Sequence, residues 1–252
     1  MPLSAFIRKA RNERRVVSAW PVYLRQLASG VCYLHGVNVI HADLKPGNVV
    51  ASPGGFLKII DVGSALVNLP TYRRKDKECK DGLQFYCTLW YRAPELILGD
   101  ITFGMPIDVW SCGCIAYELL IGKVTAASST ALCLVEIISL CGSPDDATLA
   151  YFARLPAWSP GFARTHYASR LSSALEAIVP PAWAKLICCL LVLHPHKRAS
   201  IDQVLVSRRA RHHLTLKLYN KEAHVCVLQG LVGLIRTAPL RNLQTWQSRA
   251  RV

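Results

Sequence analysis

Three side chains in the first quarter of the chain carry chemistry by their type and spacing. Asp43 stands in a short polar loop after an apolar run. Asn48 follows five residues later, and Asp61 follows a second apolar run, Leu57–Ile60, 18 residues after Asp43. A loop–strand–loop arrangement of this kind can bring all three to one edge. Asn48 and Asp61 then offer two oxygen ligands of the hard type that Mg²⁺ takes together with phosphate, and Asp43 is left to accept a proton. That set suits phosphoryl transfer, which needs positioning and charge neutralisation more than covalent help.

Helices and one hairpin must hold this loop. Apolar residues at Val16, Trp20, Tyr23, Leu24, Leu27, Val31 and Leu34 recur close to a 3.6 period, so Val16–His35 reads as a helix ended by Gly36. Val37–Ile40 is a short strand-like run. Val49–Ala51, the turn Ser52-Pro53-Gly54-Gly55 and Phe56–Ile60 read as a β-hairpin. Arg73–Gly82 is highly charged and reads as an exposed loop. Ile107–Ile121, Thr130–Cys141 and Ala182–Leu193 read as apolar helices, and Ile201–Arg209 as a last short one. Gly142–Pro180, rich in Pro and Ser, reads as loop with short helices. The pattern has no internal repeat.

Composition narrows the class. A hydrophobic fraction of 52% supports a real core, and no apolar run reaches the roughly 20 residues a membrane helix needs. Leu186–Leu193 and Val225–Ile235 are too short and read as buried helices. The start, MPLSAFIRKARNERR, has no apolar core of a secretory signal. The ten cysteines lack metal-type spacing and read as buried free thiols in a reducing compartment. An intracellular protein of cytoplasm or nucleus is therefore expected. The net charge of +14 is concentrated at the ends: residues 1–25 carry +5, 208–252 carry +8, and the middle +1. Basic ends of this kind are usually solvated faces or tails. Without interleaved aromatics, nucleic-acid binding is not the expectation.

Five strings in order then carry a resemblance. His41-Ala42-Asp43-Leu44-Lys45-Pro46-Gly47-Asn48 resembles the catalytic loop of protein kinases, and Asp61-Val62-Gly63 their metal-binding triplet. Ala93-Pro94-Glu95 resembles the end of the activation segment. Asp108-Val109-Trp110-Ser111-Cys112-Gly113 resembles the buried helix that follows, and His194-Pro195-His196-Lys197-Arg198 the late arginine segment. Cys87-Thr88-Leu89-Trp90-Tyr91-Arg92-Ala93-Pro94-Glu95 is similar to the form of the CMGC group, which holds cyclin-dependent and MAP kinases.

The resemblance implies a serine/threonine kinase using ATP and Mg²⁺ on a protein substrate. Asp43 would orient or accept the substrate hydroxyl proton, Lys45 would contact the transferring phosphate, and Thr88 would tie the two together. Asn48 and Asp61 would hold Mg²⁺, with Gly63 completing the triplet, and Val50 would floor the adenine. Arg92 would shape the pocket for the residue after the phosphoacceptor, which in this group favours proline. His41 and Asp108 would brace the loop, and Glu95 would pair with Arg198. A regulatory protein partner fits the same resemblance.

The implied fold is mainly α: a kinase-like C-terminal lobe, a helical bundle with a small β-hairpin at the catalytic and metal loops. The lobe is read over 16–210. Residues 1–15 form a basic leading segment able to supply its first helix, and 211–252 a basic tail. The N-terminal β-lobe is expected to be absent, because no glycine-rich loop or strand lysine precedes Val16. Ala42 stands where the family has an arginine that meets a phosphorylated loop, Arg73–Cys87 holds no Ser or Thr, and Val62 replaces phenylalanine. These departures support an alternative, an interaction module without catalysis.

Overall fold

The computed structural model describes residues 1–13, 20–67, 88–124 and 127–206. Among these, nine helices surround four short strands: α1 Leu3–Asn12, α2 Trp20–Gly36, β1 Val39–Ile40, β2 Val49–Ala51, β3 Leu57–Ile59, β4 Leu66–Val67, α3 Pro94–Ile97, α4 Pro106–Ile121, α5 Thr130–Cys141, α6 Asp146–Phe152, α7 Leu171–Glu176, α8 Pro181–Leu190 and α9 Ile201–Val206. No described helix is long and apolar enough to cross a membrane.

The helix termini follow local chemistry. The Ser129 hydroxyl accepts the Leu132 N–H at the start of α5, and the Asp145 carboxylate accepts the Thr148 N–H at 2.9 Å at the start of α6. Helix α4 opens on Pro106 and closes on Gly122 at φ +79°, a left-handed cap that a side chain would strain. Its residues Ile107–Ala116 are all buried, which makes it the central helix. The buried stripe of α2 consists of Trp20, Tyr23, Leu24, Leu27, Ala28, Val31 and Leu34.

β2 and β3 pair antiparallel with Val49 opposite Ile59 and Ala51 opposite Leu57. β1 and β4 pair antiparallel with Ile40 opposite Leu66. The hairpin lies on α2 at Gly30, where an added Cβ would come 2.8 Å from Ile59. Gln26 of α2 also grips it: its amide oxygen accepts the Leu57 N–H at 2.6 Å and its amide nitrogen donates to the Gly55 carbonyl at 3.2 Å. The strand-like run Val37–Ile40 thus shortens to two paired residues. Gly142–Pro180 resolves into α6, α7 and a turn at Pro160–Ala163. Val16–Ala19, Arg73–Gly82, Tyr86 and 211–252 lie outside the described residues.

Candidate active site

Asp43 is the centre of a four-residue cluster. Its Oδ1 accepts the Thr88 N–H at 2.9 Å and the Thr88 hydroxyl at 3.1 Å. Its Oδ2 accepts the Lys45 ammonium at 2.7 Å and the Asn48 amide at 3.1 Å. Lys45 donates also to Thr88 Oγ1 at 2.9 Å, and Asn48 Nδ2 to the Asp43 carbonyl at 2.9 Å. Partial burial alone pushes the Asp43 carboxyl up, but the Lys45 ammonium and the Thr88 donors outweigh it. The group therefore sits below its ordinary range and stays ionised.

A second network holds the loop from beneath. Asp108, buried at the start of α4, accepts the His41 N–H at 2.8 Å and the Ala42 N–H at 3.0 Å on its two oxygens. His35 of α2 meets the same carboxylate through Nε2 at 2.9 Å. Ala42 has φ +64°, a left-handed value uncommon for a residue with a Cβ. The bond to Asp108 holds it there. His41 Nδ1 accepts the Asp43 N–H at 3.3 Å, which assigns the proton to Nε2, 3.1 Å from the Ile60 carbonyl. One buried carboxylate and two imidazoles thus link α4, α2, the loop and Ile60 just past β3.

Asn48 ends a tight turn, Pro46–Asn48, and its carbonyl accepts the Ile60 N–H at 2.9 Å, so the residue before Asp61 is tied to Asn48. Asp61 is exposed, lies at φ +63°, and accepts no hydrogen bond among the described residues. A Cβ on Gly63 would come 3.3 Å from Asp61 Oδ1, so glycine leaves that oxygen room. Because the Asn48 amide nitrogen is spent on Asp43, its oxygen is the atom left for a ligand. One amide oxygen and one carboxylate, free of protein donors, fit a hard divalent cation that keeps water and phosphate as its other ligands.

The remaining expected residues are more scattered. Val50 is the middle residue of β2, half-buried, and pairs with Pro2 in an antiparallel bridge. Arg92 is buried at the end of the turn Leu89–Tyr91. Glu95 and Arg198 form a bidentate pair at 2.8 and 3.0 Å, with side chains 1% and 0% exposed. Arg198 is saturated by carbonyls as well, from Val192, Pro106 and Leu193. This pair lies among α3, α4 and the last turn rather than with Asp43.

Sequence reasoning passed over His35 and Gln26. Each lies in a helix read for its apolar stripe alone, where a polar residue looks like an ordinary solvent-facing position. The one signal was local: His35 directly precedes the C-terminal glycine of α2, at the helix end nearest the catalytic-type loop.

Comparison with known proteins follows the same residues. The Protein kinase domain family matches residues 6–208 of the chain. Among curated relatives, "Cyclin-dependent kinase 12" of Caenorhabditis elegans is 35% identical over 182 residues, 72% of this chain and 24% of that protein. "Protein kinase MCK1" of Saccharomyces cerevisiae is 35% identical over 190 residues, 73% of this chain and 48% of that protein. "Cyclin-dependent kinase 20" of Homo sapiens is 31% identical over 192 residues, 73% of this chain and 51% of that protein. The chain thus spans from about a quarter to about half of the length of these relatives.

The family match corrects the expected fold class. A C-terminal lobe alone, mainly α and with the N-terminal β-lobe absent, was expected. The match instead begins at residue 6, inside α1, and runs as a protein kinase domain to 208. The physical reason lies in α1. It reads as a basic leading segment able to supply the first helix of the lobe, and its Leu3 and Ile7 are buried in the common core. The Met1 ammonium donates to the Ala51 carbonyl at 2.8 Å, and the Ala51 N–H donates back to Met1 at 2.8 Å. The basic residues are the outer face of an amphipathic helix. From residue 6 to residue 208, this chain belongs to the protein kinase domain family.

Proposed function

We propose that the chain transfers the terminal phosphoryl group of ATP to serine or threonine hydroxyls of a protein substrate, with proline favoured after the acceptor. The observation that carries this reading is the Asp43–Lys45–Thr88–Asn48 cluster. A carboxylate offers about four acceptor positions, and all four are occupied here, by two Thr88 donors, Lys45 and Asn48. A substrate hydroxyl therefore needs one vacated. Lys45 is the donor that leaves, moving to the transferring phosphate, while Thr88 keeps Asp43 aimed. The freed Oδ2 takes the hydroxyl hydrogen bond, and Asp43 orients the oxygen and receives its proton as the bond to phosphorus forms.

Asn48 and Asp61 would hold Mg²⁺, which supplies charge neutralisation on the nucleotide phosphates when bound. Asp108 and His41 fix the loop that carries Asp43. Val50 lies on the strand proposed to floor the adenine. Arg92, buried behind the turn, shapes the pocket for the following residue from below. A regulatory protein of the cyclin kind is a proposed partner, since two relatives bear the name cyclin-dependent kinase. An intracellular setting, cytoplasm or nucleus, goes with this reading.

The test offers the purified chain Mg-ATP and a peptide library carrying Ser, Thr or Tyr, each before Pro or Ala. Transfer to Ser and Thr before Pro supports the reading, and transfer to Tyr alone overturns it. One observation favours a second reading, an interaction module without catalysis: Ala42 lacks the guanidinium with which the family couples loop phosphorylation to the site. Absence of stabilisation by Mg-ATP in a thermal titration would favour that second reading.

A further inference from the structure

Arg198 is held from both sides by one short stretch of chain, and His194 stands in the middle of it. Before His194, the carbonyls of Val192 and Leu193 accept the Arg198 guanidinium at 3.0 and 3.4 Å. After it, the tight turn Pro195–Lys197 leads straight into Arg198, whose N–H donates to the Pro195 carbonyl at 3.3 Å. His194 caps that turn, because its Nδ1 accepts the His196 N–H at 3.2 Å. A ring nitrogen that accepts carries no proton, which assigns the proton of the neutral ring to Nε2. A second proton turns Nδ1 into a donor, and the cap is lost. His196 is exposed, so water meets the freed N–H and the loss is of the size of a helix cap.

The same imidazole reaches Glu95, the partner of Arg198, by a second route. Its ring lies 4.9 Å from the ring of Tyr151 on α6. The Tyr151 hydroxyl donates to Asp100 Oδ2 at 2.5 Å, and the Asp100 N–H donates to the Glu95 carbonyl at 2.9 Å. The Glu95–Arg198 pair closes the circuit. The surroundings oppose a charge on His194. Burial first, then His196 when it is charged, Lys197 and Arg198, hold its pKa below the ordinary imidazole value, while Asp145 pulls the other way. The Asp145 carboxylate is already engaged, by Lys197 at 2.6 Å and by the Thr148 N–H and hydroxyl at 2.9 and 2.6 Å. The other oxygen of Asp100 is taken by the Thr102 N–H and hydroxyl. The Tyr151 ring would welcome a cation on its face, but the Arg154 guanidinium lies over it at 5.8 Å.

We propose that His194 is an acid-sensitive latch: while neutral it caps the turn that presents Arg198 to Glu95, and protonation releases that turn and loosens the pair. The sign follows from linkage. A histidine held below its unfolded value, about 6.5, contributes stability that is complete above that value. The contribution is lost as pH falls from there toward the folded value. None of these groups belongs to the Asp43 cluster, so the latch stands whether or not the chain transfers phosphoryl groups.

Two measurements on the whole chain test it. Long-range proton–nitrogen correlation spectra of the wild-type imidazoles are expected to show His194 with its proton on Nε2 and a bare Nδ1 at about pH 7.5, the Nδ1 signal titrating below about 6.5. A proton on Nδ1 at the higher pH overturns the latch. His194→Asn keeps an oxygen able to accept the His196 N–H and never titrates. Its Tm is expected within about 1 °C of wild type at about pH 7.5 and about 3 °C above it at about pH 5.5. Every other titrating group is common to the two proteins, so the change in that gap reads His194. A gap that does not widen on acidification overturns the latch. With Arg198→Met and Glu95→Gln in both proteins, the widening is expected to fall to about half or less, because the pair that the latch serves is gone. An undiminished widening in that background overturns the link to Glu95, and with it the latch.

Discussion

Thr88 holds Asp43 twice, through its backbone N–H at 2.9 Å and its hydroxyl at 3.1 Å to the same carboxylate oxygen. These residues are 45 positions apart in the chain. The hydroxyl also accepts from Lys45 at 2.9 Å, so one threonine fixes both groups assigned to the reaction. Thr88→Val keeps the backbone bond and the volume and removes the hydroxyl. The expected result is a fall of about 10- to 100-fold in kcat with little change in KM for peptide, because aim rather than binding is lost. Thr88→Ser should retain most of the activity. Steady-state kinetics on the two variants checks it.

Asp43 supplies a pH signature. Its folded carboxyl is held below the ordinary range against the upward push of burial, by Lys45 and Thr88. A depressed carboxyl contributes stability that is present above its unfolded value, about 3.9, and lost as pH falls through the folded value. The acid limb of kcat/KM is therefore expected below that of an ordinary aspartate. Lys45→Met removes the strongest lowering partner, leaves burial to push upward, and should move the limb to higher pH. A pH–rate profile of the two proteins reads the shift.

Asp108 is the buried anchor of the loop, and its removal leaves the N–H groups of His41 and Ala42 without acceptors. Asp108→Ala is expected to cost about 3 kcal/mol, seen as a fall in Tm of about 10 °C. His35→Gln, which keeps a donor toward Asp108, should cost much less. Thermal unfolding of both variants separates the two contributions.

The Glu95–Arg198 pair predicts an asymmetry. Arg198→Met strands a buried carboxylate and should destabilise by about 3–5 kcal/mol. The double change Arg198→Met with Glu95→Gln removes both charges and should recover much of that loss, because an uncompensated buried charge is the costly species. A denaturant double-mutant cycle measures the recovery.

Much of this arrangement was legible in the sequence where periodicity and short strings carry the signal. Thr130–Cys141 emerges with the boundaries read from its apolar run, and the pairing of Val49–Ala51 with Leu57–Ile59 follows from the turn residues between them. The spacing of Asp43, Asn48 and Asp61 pointed to one edge; the loop is short enough for local geometry to join Asp43 and Asn48, and the Asn48 carbonyl ties down Ile60 beside Asp61. Contacts between distant segments were harder. Residues 1–15 read as able to supply a first helix, but that α1 docks through Leu3 and Ile7, with Met1 and Pro2 running along β2, is a tertiary choice its own sequence does not specify. The roles of Gln26 and His35 likewise depend on what α2 packs against, which its own periodicity does not specify.

The central claim is that Asp43 handles the proton of the acceptor hydroxyl. The most direct measurement is the rate of labelled phosphate transfer from Mg-ATP to a Ser-Pro peptide by wild type and by Asp43→Asn, which keeps the side-chain shape and one accepting oxygen but cannot take a proton. We predict measurable transfer by wild type and a loss of at least about 100-fold in the variant, with Mg-ATP stabilisation retained. Equal rates in the two proteins would contradict the claim.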